Sequence, residues 1–241
     1  MEIIPLAILV VIAGGVGTIT GFGTSTIMVP ILLLFYPVPQ TLLFVGVIHW
    51  FGNLWKVLLF RGGIRWRLII AFGLPGIAAS FVGASLVFNV SHALLSRILA
   101  IVLIGYVVLL LFKESFKIPE GTATAAAGGA ASGFMAGVFG IGGAVRGMFL
   151  SAFNLPKSVY IATAGAIAIV VDTTRLIAYV AEGTRLETLL LWGMLVFIPA
   201  SLVGAKLAKR IVDKIPQHRF RQVIGAFLLA VAIKLLLFPA K

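Results

Sequence analysis

Eight apolar stretches dominate the sequence, and six are close to the length of one bilayer crossing: about 40–61, 67–88, 94–112, 157–180, 187–208 and 220–238. A helix needs ~20 apolar residues to cross the hydrocarbon core, where its backbone must satisfy its own hydrogen bonds. The other two, 3–36 and 122–154, are too long for one crossing. A continuous helix over 3–36 would measure ~51 Å against a core of ~30 Å. Both carry closely spaced glycines, Gly21-Phe22-Gly23 and Gly140-Ile141-Gly142-Gly143. Glycine costs ~1 kcal/mol relative to alanine inside a helix. Each stretch is therefore expected to form a helix, a break and a shorter helix: 3–20 and 25–36, then 122–139 and 144–154. The start, Met1-Glu2-Ile3-Ile4, lacks the basic lead of a signal peptide, and no small-residue cleavage site precedes the glycines, so it reads as a mature helix.

Composition agrees. The chain is 61% hydrophobic and 11% charged, whereas soluble domains are ~45–50% apolar and ~25% charged. A soluble enzyme, a nucleic-acid binder and a disordered chain are excluded. The net charge of +12 is read as topology, because basic residues mark the cytoplasmic side of membrane proteins. The chain has no cysteine, hence no disulfide framework or thiolate metal site.

The halves repeat at a period near 120 residues. Gly14, Gly21 and Gly23 recur as Gly133, Gly140 and Gly142; Pro39 as Pro156; Gly63-Ile64-Arg65 as Gly183-Thr184-Arg185; Gly83-Ala84 as Gly204-Ala205. The run Leu109-Leu110-Leu111-Phe112 returns as Leu235-Leu236-Leu237-Phe238. Residues 1–117 and 118–241 are thus two repeats of one transmembrane domain. If each broken stretch is a hairpin that enters and leaves on one face, three crossings remain per half, and the second half must lie inverted. That arrangement gathers Lys56, Arg61, Arg65, Arg67, Lys113, Lys117, Lys157, Lys206, Lys209, Arg210, Lys214, Arg219 and Arg221 on one face, and leaves Arg97, Arg185, Lys234 and Lys241 on the other. The first face is then cytoplasmic and both termini are outside. The expected fold class is an all-α integral membrane protein of two inverted-topology repeats, each a glycine-broken helical hairpin followed by three transmembrane helices. Inverted repeats with broken helices at the midplane mark transporters, and half-helix N-termini offer N–H groups to an anion.

The segment Gly17-x3-Gly21-Phe22-Gly23 followed by Pro30, together with Gly133-Phe134-Met135-Ala136-Gly137-Val138-Phe139-Gly140-Ile141-Gly142-Gly143, resembles the paired signature of the sulfite exporter TauE/SafE permeases. The similarity covers nearly the whole chain, including the turn at Gly63-Ile64-Arg65-Trp66. Thr24-Ser25 stands where that family carries further glycine, and Phe149 where it carries proline. The resemblance implies transport of a sulfur-containing anion, such as sulfite, thiosulfate or an organosulfonate, across the cytoplasmic (inner) membrane.

Candidate substrate-binding residues are Gly21, Phe22, Gly23, Thr24, Ser25, Gly140, Ile141, Gly142, Gly143 and Arg146. The glycines cluster too tightly for helix packing alone, whereas Gly14, Gly17, Gly133 and Gly137 suit close helix contact. Thr18, Thr20, Thr24, Ser25 and Thr26 crowd the first break, where hydroxyls often bond the local backbone; alternatively Thr24, Ser25 and Thr26 begin the second half-helix and share an oxyanion with its N–H groups. Arg146 either snorkels to the cytoplasmic surface or binds the anion. Candidate coupling or gating residues are His49, Asn53, Asp172 and Arg175. Asp172 and Arg175 form a local ion pair or a proton-coupling or gating site. His49 and Asn53 face one side of the equivalent span and form an interhelical hydrogen bond or a titrating site. Trp50, Trp55, Trp66 and Trp192 are assigned to interfaces or packing, and the basic clusters to topology and lipid headgroups.

An intramembrane enzyme is disfavoured. An aspartyl mechanism needs two buried carboxylates and only Asp172 is available; Ser132 with His49 lacks a nucleophile turn; there is no His-Glu-x-x-His. A channel, or a carrier for a carboxylate or another oxyanion, stays open. No cofactor, metal or nucleic-acid partner is expected; the lipid bilayer and a small anionic solute are, and a homodimer is compatible.

Overall fold

The computed structural model describes residues 2–20, 23–60, 63–112, 119–211, 226, 228–230 and 232–239. All regular structure among them is helical: α1 (Ile3–Thr20), α2 (Ser25–Leu32), α3 (Val38–Leu59), α4 (Trp66–Asn89), α5 (His92–Phe112), α6 (Thr122–Phe139), α7 (Gly143–Leu150), α8 (Lys157–Ala181) and α9 (Thr188–Ile211), with a 3-10 turn over Ser151–Phe153. Residues 228–230 and 232–237 are helical as well; the rest of the expected 220–238 span lies outside the described residues. Helices α3, α4, α8 and α9 are long and apolar enough to cross a membrane.

Both long stretches break at their glycines. Helix α6 ends on Gly140, whose φ of 71° is left-handed and whose N–H bonds back to Ala136 O, an αL cap that glycine adopts without a Cβ penalty. On the other side Gly23, at φ 91°, turns the chain into α2, and its N–H reaches Gly17 O at 3.2 Å. The two breaks are not built alike, because Gly142, the repeat partner of Gly23, sits at φ −71°. Helix α2 stops at Leu32 rather than 36 and continues as turns through Tyr36. Both α3 and α8 start behind a proline in extended backbone, Pro37 (φ −57°, ψ 153°) and Pro156 (φ −52°, ψ 143°). Pro37 rather than Pro39 is therefore the structural counterpart of Pro156.

The centre of the bundle is the α3–α8 pair. Leu42 meets Arg175, Trp50 meets Thr173, Asn53 meets Asp172, and Arg65, just beyond α3, meets Thr163. Residue numbers climb one helix as they descend the other, so the two run antiparallel. Around this pair, α6 packs on α4 and α1 on α9. A Cβ at Gly129, Gly133 or Gly137 would run into the backbone of Phe72, Gly76 or Ser80 on α4. A Cβ at Gly204 would likewise meet Val11 O on α1. Small residues let the helix backbones approach this closely, as in other membrane bundles. Outer faces of α4 and α9 carry Ile70, Leu74, Phe81, Leu191, Trp192 and Leu195, all exposed, as a lipid-facing surface requires.

Candidate functional site

Spacing puts three polar side chains of α3 on one face, His49, Asn53 and Lys56, and three of α8 on the opposing face, Asp172, Arg175 and Tyr179. All six are buried. Asp172 is the hub: Arg175 Nε donates to Oδ1 at 2.8 Å, and Asn53 Nδ2 donates to Oδ2 at 3.4 Å. His49 Nδ1 lies 2.8 Å from Oδ2, close in distance but misaligned for a good hydrogen bond. The Asn53 amide also faces His49 Nε2 at 3.2 Å; an amide donor there makes Nε2 the acceptor and puts the proton of a neutral ring on Nδ1, toward the carboxylate. Lys56 Nζ donates to Asn53 Oδ1 at 3.2 Å. Arg175 Nη1 reaches Leu42 O at 3.5 Å, while Nη2 is buried with no hydrogen-bond partner among the described residues. The Tyr179 hydroxyl donates to Gly137 O and ties α8 to α6.

Asn53 and Asp172 are 119 residues apart, the interval that separates Gly14 from Gly133. Lys56 and Arg175 share it, and each bonds the polar residue three positions before it. The repeat therefore places an amide and an ammonium in one half where the other has a carboxylate and a guanidinium.

Both breaks flank this cluster. The His49 ring fills the space a Cβ on Gly23 would need. A Cβ on Gly140 would lie 3.1 Å from Leu42 Cδ2, 3.2 Å from Val29 Cγ2 and 3.5 Å from Arg175 Nη1. Positive φ favours glycine at both positions, and at Gly23 the His49 ring leaves no room for a Cβ. Gly142 packs against Ser132 O, Gly143 opens α7 and Ile141 is a core residue. Thr24 is buried beside Gly52, and Ser25 Oγ, in the first turn of α2, is buried without a partner among the described residues. Thr18 Oγ1 bonds Gly14 O at 2.8 Å, the local-backbone option. Gly21 and Phe22 lie outside the described residues.

Arg146 is 2% exposed, so it does not reach a surface. Its Nε has no hydrogen-bond partner among the described residues. The guanidinium is within electrostatic range of Lys56, Asp172 and Arg175. Tyr160 is beside it, its hydroxyl donating to Gly147 O at 3.4 Å.

One assignment changes. Lys56 is not on the basic face but 5% exposed inside the cluster. Its chemistry was visible in the repeat, since it falls on the Arg175 position. Trp50 and Trp55 take part in packing: their Nε1–H groups donate to Thr173 Oγ1 and Ser201 Oγ, each at 3.0 Å, across helix seams. Trp66 and Trp192 are each 68% exposed. Tyr179 and the Leu42 carbonyl carry no signal in an apolar helix pattern; the first donates to Gly137 O and the second accepts from Arg175 Nη1. Replacing Tyr179 by Phe leaves Gly137 O without its donor and is expected to cost about 1–3 kcal/mol, read as a lower melting temperature of the purified protein.

Among curated protein sequences none matches the chain. The model of one family, described as sulfite exporter TauE/SafE, matches residues 6–235 of the 241. Long apolar helices, a core that buries basic side chains and this match over nearly the whole length agree: the chain is a multi-pass membrane protein of the sulfite exporter TauE/SafE family, a family of permeases for sulfur-containing anions.

Proposed function

We propose that the chain is a secondary transporter of a small sulfur-containing anion, of the sulfite, thiosulfate or organosulfonate class, working by alternating access around the α3–α8 cluster. One observation carries this reading. Three cations, Lys56, Arg146 and Arg175, are buried within reach of one another, and Asp172 is the one buried carboxylate among the described residues. Buried charge without a counter-charge is costly, and a bound anion supplies what the protein lacks. Gly23 packs on His49 and Gly140 lies beside Arg175, which brings both breaks to the same cluster, and the Ser25 hydroxyl that opens α2 has no partner among the described residues and adds a donor.

Antiparallel packing of α3 against α8 supports inverted repeats, because these two helices occupy equivalent places in the halves. Lys209 Nζ donates to Leu59 O at 2.7 Å, which joins the basic end of α9, with Lys209 and Arg210, to the end of α3 on one side. That side faces the cytoplasm in the inner membrane, and the termini lie outside. Rocking one half against the other then exposes the cluster alternately to the two sides. The contact between Asp172 and His49 gives a proton a place in the cycle, when the anion draws Arg175 away from the carboxylate.

Proteoliposomes loaded with sulfite or thiosulfate test the reading. Saturable, trans-stimulated flux is expected; absence of flux for every sulfur anion under proton and sodium gradients would overturn it. Arg146→Ala is expected to lower flux roughly 30-fold or more, matching the ~2 kcal/mol or more that loss of one partner of a buried charge pair costs. Its ligand-free melting temperature should hold or rise, because the variant removes an unpaired buried cation. Unchanged flux in this variant removes Arg146 from the site.

A further inference from the structure

Resting on the reading above, the geometry points to a charge filter: the site takes sulfur anions of charge −2 in preference to those of charge −1, and Lys56 sets that preference. Arg175 and Asp172 neutralise each other through a 2.8 Å contact. His49 accepts from the Asn53 amide at Nε2 and is neutral in that arrangement. Lys56 has a neutral amide for a partner, at the position where the other half of the repeat provides a carboxylate. Arg146 has a buried Nε with no partner at all among the described residues. Lys56 and Arg146 therefore lack a carboxylate of their own among the described residues, deep among apolar helices and within electrostatic range of each other. A dianion neutralises both. A monoanion leaves one buried charge unpaired, which is the costly state for a low-dielectric interior.

Local packing fixes Lys56 in this role. A Cβ on Gly165 of α8 would lie 3.1 Å from Asn53 O and 3.5 Å from Lys56 Cβ, so α8 closes directly over the base of the lysine. The base of the stem is held between α3 and α8 and the residue is 5% exposed, unlike a lysine that snorkels. The amide at Asn53 is equally specific: a carboxylate there would neutralise Lys56 internally, as Asp172 does for Arg175, and the filter would vanish.

Thiosulfate and methanesulfonate are the probes. Each presents an SO3 group on a single bond to a third-row sulfur or a methyl of similar bulk, and they differ by one unit of charge. Dissociation constants are measured at neutral pH on the purified full chain by ligand-induced thermal stabilisation. Thiosulfate is expected to bind at least about tenfold more tightly, the equivalent of ~1.4 kcal/mol. In Lys56→Gln the ratio is expected to fall about tenfold or more, and Lys56→Arg, which restores the charge, is expected to bring most of the ratio back. Equal affinity of the wild-type chain for the two probes overturns the charge filter while leaving the transport reading in place. A preference that survives in a folded Lys56→Gln variant overturns the role of Lys56. Binding of neither probe, nor of sulfite, overturns the transport reading and this inference with it. If Lys56→Gln does not fold, the wild-type ratio and the arginine variant still decide.

Discussion

Asp172→Asn is expected to unfold far more easily than the parent, by about 3–5 kcal/mol, the usual cost of removing one partner of a buried ion pair. The shape of the side chain is kept, so packing is not the cause. What changes is that Arg175, fully buried on α8, loses its carboxylate, and so does the His49 Nδ1 contact 2.8 Å away. The third partner, Asn53, then faces another amide across α3 and α8. Two further variants separate stability from transport. Arg175→Met alone strands Asp172 and is expected to be as damaging as Asp172→Asn. The double replacement Asp172→Asn with Arg175→Met removes both charges, and should recover more than half of the lost stability, since apolar substitutes for buried pairs are often neutral or better. Flux should stay absent in the double variant, because the guanidinium that faces both Gly140 and the Leu42 carbonyl is gone. Thermal melting in detergent and proteoliposome flux read the two effects. An Asp172→Asn variant that melts within about 1 kcal/mol of the parent would show that the pair is not an internal counter-charge; surface pairs are worth that little.

Gly133→Leu is expected to prevent the bundle from closing. A first carbon on Gly133 would already collide with Gly76 O, and would sit 2.7 Å from Gly76 Cα and 2.9 Å from its carbonyl carbon. These are backbone atoms of α4, so no rotamer change relieves them. The helices must part along the whole seam, and Gly129 against Phe72 and Gly137 against Ser80 lose contact with it. Overpacking of a tight core costs ~1–3 kcal/mol, and a seam that separates as a unit exceeds that range. The readout is a loss of monodisperse protein after extraction. Gly105→Leu is the control: nothing lies within 4 Å of a Cβ there, and its melting temperature should not fall.

Much of the architecture was legible because the bilayer imposes it. Span lengths, the two breaks and the period of the repeat all follow from where apolar runs stop and glycines gather, and the described helices start and end within a few residues of those limits. The site was less legible, for two physical reasons. A membrane chain hides its ionisable residues in pairs across helices, and an offset between repeats shows such a pair only when both members are considered together. Lys56 looked like a cytoplasmic marker near the end of α3; the repeat interval that aligns it with Arg175 was the signal that it turns inward. Tyr179 had no such signal, because a tyrosine in an apolar helix has the same sequence appearance whether its hydroxyl meets lipid headgroups or the backbone of α6. The left-handed conformations of Gly23 and Gly140 also follow from tertiary contact, with His49 against one and Arg175 near the other.

The seam between α1 and α9 has a consequence for how the protein is made. Its two members are made far apart in time, and Gly204 must meet the backbone of Val11 for the seam to form. About 170 residues are synthesised between the end of α1 and the start of α9, which takes roughly 10–30 s at ~5–20 residues per second. Throughout that interval α1 sits in the bilayer without the partner that covers its glycines, whereas α6 finds α4 already inserted. Assembly is thus asymmetric in time, with the α1–α9 seam closing after the α4–α6 seam.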